Sequence, residues 1–383
     1  MRILQVHAGY RHPAGEDTVV ASEAALLRSG GHEVLTWGAA EPTIPGRVTA
    51  LALSPWNPLT ARRARAAVEE FRPDVAHVHN TWFSLSPSVI AAIHNAGVPV
   101  VMTLHNYRLS CVTGEMYRAG EVCTDCLQSS PMPGVVHGCY RNSRSASALA
   151  GLGLAAWKRA GVWERDVDRM IAPSQFFADM VVKGGIRADR ILVKSHFVSD
   201  PGPRERPPSS SNRIVFVGRL SEAKGVRTLI EAWRTHPPAG MELEIVGEGD
   251  LRAEREVELP PNVRFVGWLK RDAVLRRLMT ARALVFPSEW YEPFGMVLLE
   301  AMAAGLAIVG SDIAAVREIT QPFDDRQLVA PASPEKLAGA LAMLSEDAFV
   351  DAAGSVARAR YLEAFTPERN LRLLTAVYEA ARV

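Results

Sequence analysis

Two doubly wound α/β domains in tandem, each a parallel sheet covered by helices, are what this 383-residue sequence predicts. Short β-rich runs alternate with longer helical patterns along the chain. A Pro- and Ser-rich stretch, "SDPGPRERPPSSSN" (199–212), interrupts the alternation near the middle and reads as a linker. The length also suffices for two separate cores.

The elements follow in order. "RILQVH" (2–7) is a strand, and "EDTVVASEAALLRSG" (16–30) a helix closed by a Gly pair. "HEVLTWG" (32–38) is again a strand, 61–71 a helix, 74–79 a strand, 86–97 a helix and "PVVMTLH" (99–105) a strand. A helical pattern spans roughly 145–168, and "RMIAPS" (169–174) with "ILVKSH" (191–196) completes the first unit, residues 1–198. Beyond the linker, strands at 213–220, 241–249, 262–269, 283–288 and 307–312 alternate with helices at 222–234 and 271–281 and a helix containing Glu300, giving a second unit over 213–365. Ligands of such sheets bind beyond the carboxyl ends of the strands, so two facing domains would enclose a cleft.

Bulk composition narrows the function. Lys plus Arg number 43 against 42 Asp plus Glu, so no global field selects nucleic acid or an anionic membrane. No apolar run reaches the ~20 residues of a membrane span. The first residues read as a strand rather than a signal peptide, which makes the cytoplasm the default location. No G-x-G-x-x-G follows a predicted strand, which argues against a nicotinamide or flavin dehydrogenase.

The strand ends of the second unit carry the chemistry. "GRLSEAKGV" places Arg219 at a strand end and Lys224 at a helix start, where two cations converge on one anion such as a diphosphate. "SEWYEPFGMVLLEAMAAG" (288–305) places Glu292 before a Pro-Phe-Gly turn and Glu300 inside an apolar helix. Helix-dipole complementation accounts for Glu289 and is one reading of Glu292. It does not account for Glu300, whose carboxylate needs a partner or a polar ligand. The helix start at Pro293–Gly295 is itself an anion site.

These residues resemble family 4 of the retaining glycosyltransferases, which have the GT-B fold of two Rossmann-like domains. "FVGRLSEAKGV", followed by "PSEWYEPFGMVLLEAMAAGLAIVGSD" with its E-x7-E pair and the ending "FTPERNLRLLTAVYEAA", carries the resemblance over almost the whole chain. It implies a hexosyltransferase taking a nucleotide sugar, GDP-mannose or a UDP-hexose, to a saccharide or lipid-linked acceptor, with no metal required for catalysis. It implies that Arg219 and Lys224 hold the diphosphate, Glu300 the ribose and Glu292 the sugar hydroxyls. The backbone N–H groups of Phe294, Gly295, Met296 and Val297 would contact sugar or phosphate. In the first unit, His105 takes the place of a histidine near the reacting sugar, and Gly15 that of the amino-terminal loop. The last helix, about 366–383, would cross back to the first domain. Three places depart from the family: Ala14 precedes Gly15, Ala314 and Ala315 stand where glycines are usual before Glu318, and "KSHFVS" (194–199) replaces a Pro-Asn-Gly strand.

His105 can hydrogen-bond and change charge near neutrality, and His7 and His79, which also end strands, are read as further lining residues. Retention requires either a carboxylate under the anomeric carbon, for which only Glu16 and Asp17 offer themselves by location, or same-face displacement with electrostatic stabilisation of the leaving diphosphate. The second suits the residues better. A GT-B epimerase or phosphorylase, and a non-catalytic nucleotide-sugar binder, are the competing classes. Cys111, Cys123, Cys126 and Cys139 follow C-x11-C-x2-C-x12-C with His137 nearby, a pattern for a structural zinc, for four packed thiols or for a disulfide acquired outside the cytoplasm. The stretch 141–163, basic and apolar with Trp157 and Trp163, is either a membrane-surface helix or one packed into the domain.

Overall fold

The central strands have no polar face. Val75–Asn80, Val100–Thr103, Ala283–Phe286 and Ala307–Ser311 are buried along their full length, as parallel strands covered on both sides must be. In the computed structural model, which describes residues 1–9, 15–39, 53, 55–82, 84–128, 130–251 and 259–382, these strands form two six-stranded parallel sheets. The chain divides into two units: Met1–Met116, Cys123–His196 and Glu368–Val383 make the first, Tyr117–Val122 and Phe197–Pro367 the second.

In chain order the strands are β1 (Arg2–Ala8), β2 (Glu33–Ala39), β3 (Val75–Asn80), β4 (Val100–Thr103), β5 (Tyr117–Arg118), β6 (Glu121–Val122), β7 (Arg169–Ala172), β8 (Ile191–Val193), β9 (Arg213–Val217), β10 (Glu242–Val246), β11 (Val263–Gly267), β12 (Ala283–Phe286), β13 (Ala307–Ser311) and β14 (Leu328–Val329). The helices used below are α1 (Gly15–Ser29), α2 (Pro58–Phe71), α3 (Ser88–His94), α4 (Met132–Val136), α5 (Arg144–Arg159), α6 (Val162–Arg165), α7 (Gln175–Lys183), α8 (Val226–Thr235), α9 (Arg271–Thr280), α10 (Met296–Ala303), α11 (Ala315–Thr320), α12 (Pro334–Ala342), α13 (Asp347–Ala364) and α14 (Pro367–Ala381).

Sheet order is β2-β1-β3-β4-β7-β8 in the first unit and β11-β10-β9-β12-β13-β14 in the second. Each has a point where the chain direction across the sheet reverses: between β1 and β3, and between β9 and β12. Crevices at such points are where open α/β sheets bind ligands. In the first unit α14 belongs to the core, with Leu374, Val377 and Tyr378 packed on Ile3, Leu27, Val75, Val101 and Ile171. The second unit has an apolar cluster on each side of its sheet, one around α10 and α13, the other around α8 and α12.

Several local expectations change. The helix expected at 222–234 is a 3-10 turn, Glu222–Lys224, then α8, because Gly225 adopts φ +68° between them. The pattern at 145–168 breaks into α5 and α6 at Gly161, also left-handed. β4 stops at Thr103, so His105 lies two residues past the strand rather than closing it. The Pro/Ser stretch is fastened to the second unit: Arg204 donates to the carbonyls of Leu278, Ala281 and Ala304, Ser209 pairs with Asp351, and Pro208 is buried. The chain passes from one unit to the other at 196–197, ahead of that stretch.

Candidate active site

At the second unit's reversal point, β9 runs into the loop bearing Arg219, whose side chain is exposed. That loop is pinned to the end of β10 by Leu220 N–H donating to Glu248 O. Gly247 permits the approach, since a Cβ there would lie 1.8 Å from Gly218 O. The next turn carries Lys224 and ends at Gly225, where a Cβ would lie 1.8 Å from Pro287 O. Only a glycine lets this turn touch the end of β12. The contact delivers Lys224 to the segment after β12.

There Lys224 Nζ lies 2.5 Å from Glu292 Oε2. The same oxygen accepts from Trp290 Nε1 at 2.8 Å and from Ser288 Oγ at 3.2 Å. The ammonium also sits over the Trp290 ring, 5.2 Å from its centroid. Three donors on one carboxylate oxygen hold Glu292 in a fixed orientation.

α10 begins four residues later. Its N-cap is Gly295, at φ +93°, and supplies no capping side chain. In contrast, Ser174 caps α7 by accepting from Phe177 N–H. The first N–H groups of α10, on Met296 and Val297, therefore lack a capping oxygen and carry the positive end of the helix dipole. Phe294 is buried at this turn. Glu300, one turn in, lies 3.3 Å from Arg271 Nε at the start of α9. Burial pushes its carboxyl pKa up, and Arg271 opposes that shift.

Glu289 is not a helix-start residue, because α10 begins at Met296. Its carboxylate instead accepts from Thr228 Oγ1 and from Tyr117 Oη, while its N–H donates to Ala223 O. Tyr117 lies on the β5–β6 hairpin, whose Val122 packs on the second unit's core. Ala314, where a glycine is usual, keeps a glycine-like backbone at φ +50°, ψ −130°.

The first unit's edge differs in kind. His79 Nδ1 meets His105 Nε2 at 3.1 Å, and the His105 ring stacks on His196 with centroids 5.4 Å apart. Burial drives the His105 pKa down to about 3, with further lowering from His7, His77 and Lys194. A neutral-pH charge switch at His105 is therefore not what the environment makes; the imidazole stays neutral. His7 pairs with Asp17 at 3.0 Å. Gly15 is exposed at the first residue of α1, while Ala14 lies outside the described residues.

Beside His105, a cavity of about 40 Å³ is lined by Asn80, Trp82, Asn106, Arg108, Trp157 and Trp163. The Arg108 guanidinium lies over Trp82, 4.8 Å from its centroid, and its Nε and Nη1 are buried without an acceptor. Trp157 and Trp163 are 4% and 5% exposed, so the two tryptophans of the 141–163 stretch are core residues; Leu152, 67% exposed, is on the surface. No described helix is long and apolar enough to cross a membrane.

Behind these residues, Glu23 on α1 and Lys194 after β8 form a buried pair at 2.9 Å, with Asn370 of α14 accepting from the same ammonium. His77 bonds Tyr378 Oη and Thr103 Oγ1, each at 2.7 Å. Donor atoms of Glu23, His77 and His79 lie within 4.8 Å of one another. A cation does not fit there: Lys194 already supplies the positive charge, and both His77 nitrogens are engaged. Glu23 and Lys194 went unnoticed in the sequence, although "VVASEAALL" and "ILVKSH" set a charge among apolar residues just as the helix around Glu300 does. Arg271 had no local signal.

Comparison with known proteins gives the family and the fold. Residues 15–199 match the model of Glycosyltransferase Family 4, and residues 211–347 that of Glycosyl transferases group 1. Glycogen synthase of Mycobacterium tuberculosis is 29% identical over 326 residues, covering 82% of this chain and 70% of that one. The phosphatidyl-myo-inositol mannosyltransferase of Mycolicibacterium smegmatis is 27% identical over 370 residues, covering 91% and 85%. In fold, the chain is similar to Anabaena Alr3699/HepE, solved in complex with UDP, with a TM-score of 0.68 at 17% identity over 99% of this chain and 100% of that one. The two model matches follow one another along the chain and the two sheets supply the fold that goes with them: the chain is a transferase enzyme, a GT-B glycosyltransferase of the family 4 type.

Proposed function

We propose that this enzyme moves a hexosyl unit from a nucleotide sugar, GDP-mannose or a UDP-hexose, to a hydroxyl of a saccharide or lipid-linked acceptor, with retention at the anomeric carbon. The observation that carries the reading is the Lys224–Glu292 pair at the second unit's reversal point, beside a helix start without a capping side chain. The kinship to the mannosyltransferase and the fold shared with HepE, which was solved with UDP and with UDP-glucose, support a nucleotide-sugar donor.

In this reading the diphosphate takes the Lys224 ammonium from Glu292 and is held further by Arg219 and the N–H groups of Gly295, Met296 and Val297. Glu292, released from Lys224, accepts hydroxyl hydrogen bonds from the donor sugar, and the Phe294 N–H donates to a sugar oxygen. Glu300, restrained by Arg271, takes the ribose hydroxyls. In the first unit, His105, whose imidazole burial keeps neutral, and Gly15 take the sugar-side and donor-side roles that the family resemblance gives them. The bond from C1 to the phosphate oxygen breaks as the acceptor oxygen bonds C1 on the same face. The acceptor proton passes to the departing diphosphate. The protein's own cations stabilise the leaving group, so catalysis needs no metal.

Thermal-shift titration with GDP, UDP, GDP-mannose and UDP-glucose tests the donor. One base should raise the melting temperature by mass action, and less so in Lys224→Ala. No shift with any nucleotide would remove the donor reading.

A further inference from the structure

Between Asn106 and Ser143 the chain has little of what normally stabilises a fold. Its regular structure is the β5–β6 hairpin of two-residue strands, the five-residue α4 and a 3-10 turn at Tyr140–Asn142. The apolar cluster beneath it is small: Val112, Ala150 and Leu154, with Trp82, Cys139 and Tyr140 at its margin. Met116, Ala119, Arg141 and Asn142 all hold positive φ here, half of the eight non-glycine residues that do so among the described residues. Such backbone persists only where its surroundings over-determine it. Something besides apolar burial fastens this segment.

The four cysteines are placed to do so. None is disulfide-bonded, and all are half-buried. Gly134 touches two of them, Cys126 and Cys139, and lies against Val112 beside a third. A Cβ there would lie 3.5 Å from Cys126 Sγ and 2.6 Å from the side chain of Val112, the neighbour of Cys111. Its carbonyl accepts the Cys139 N–H at 2.9 Å. Cys123 precedes Cys126 across a turn closed by Leu127 N–H to Thr124 O, and is itself tied by its N–H to Met116 O. Cys111 is fixed by its N–H to Tyr107 O.

We propose that Cys111, Cys123, Cys126 and Cys139 bind one structural zinc ion around Gly134. Four thiolates from two loops and a C-x2-C turn make the closed, soft, tetrahedral donor set that selects zinc over hard cations. The metal displaces four thiol protons to solvent as it binds. Cys111, Cys123 and Cys139 all lie within electrostatic reach of Cys126, without forming a tight trio of donors, which among the described residues is Glu23–His77–His79; binding the ion requires the half-buried cysteine side chains to turn toward one another. Cys111 and Cys123 flank the β5–β6 hairpin in the chain, so the ion fixes the base of that hairpin.

Metal content of the full chain, purified under reducing conditions without chelator, tests this. About one equivalent of zinc per chain is expected, falling at least about tenfold in Cys126→Ser and in Cys139→Ser and unchanged in Glu23→Gln. Because a cysteine variant can misfold, wild-type protein is also loaded with cobalt(II) after the zinc is removed, and should develop the thiolate-to-cobalt absorption of a tetrahedral site. Zinc below about a tenth of an equivalent with no such band would overturn the proposal. So would zinc that survives both cysteine changes and is lost in Glu23→Gln.

Discussion

The carboxyl edges of the two sheets use the same pair of residue types in opposite settings. In the first unit Lys194 and Glu23 are 1% and 0% exposed and lie among imidazoles held neutral by burial. In the second, Lys224 keeps 19% exposure while it pairs with Glu292. A pair sealed from solvent can only fasten elements together, here α1, the end of β8 and α14. One that opens on solvent can exchange its partner for an arriving anion. The setting of a lysine–carboxylate pair, rather than its identity, separates scaffold from site.

The largest effect should come from breaking the sealed pair. Lys194→Met leaves Glu23 buried without its cation and should cost about 3–5 kcal/mol of unfolding free energy. Urea denaturation measures this, and specific activity of the remaining folded enzyme should hold. A loss of activity without loss of stability would place Lys194 in the site instead. Breaking the open pair should do the reverse. Lys224→Ala should lower kcat about 10²–10³-fold with the unfolding midpoint little changed, since it removes one preorganised donor to the leaving group. Turnover near that of the unaltered enzyme would refute its role.

Glu300→Gln sharpens the contrast within the second unit. Donor KM should rise about tenfold or more, the worth of a hydrogen bond to a charged acceptor, with kcat less affected. An unchanged KM would remove the ribose from this carboxylate.

Acid tests the buried histidines of the first unit. Burial lowers the His77 pKa from 6.5 to about 4, with Glu23 opposing and Lys194 adding to the shift. Between those values the unfolded chain takes up a proton that the folded one refuses. Stability is therefore full above pH 6.5 and falls as pH drops toward 4, by ~1.4 kcal/mol per pH unit for this residue. His77→Gln, which can still bond Tyr378 and Thr103, should flatten the slope by about one proton; an unaltered slope would assign it elsewhere. The smallest effect is at Ala314. Its backbone lies in a glycine region, so Ala314→Gly should raise stability by about 1 kcal/mol, seen as a higher melting temperature.

The alternation of strands and helices was legible because period and turn residues are local properties, and so was Glu300, a carboxylate among Leu298, Leu299, Ala301 and Met302. The same rule applied to Glu23 would have found the buried pair. Its partner lies 171 positions away, and pairing at that distance leaves no trace in spacing. Arg271 was hidden for the same reason. Gly225 inside "EAKGVRTLI" looked like a tolerated helix glycine, because the carbonyl of Pro287 that forces the break comes from another strand. The Pro/Ser stretch looked unattached because its partners, among them Asp351 and the carbonyl of Ala304, are far along the chain.

The exchange of partners at Lys224 is the claim on which the donor reading depends, and a crystal structure with GDP or UDP bound tests it most directly. The account predicts a diphosphate between Arg219, Lys224 and the start of α10, with Lys224 Nζ drawn off Glu292. A nucleotide bound elsewhere, with the Lys224–Glu292 pair still closed at 2.5 Å, would contradict it.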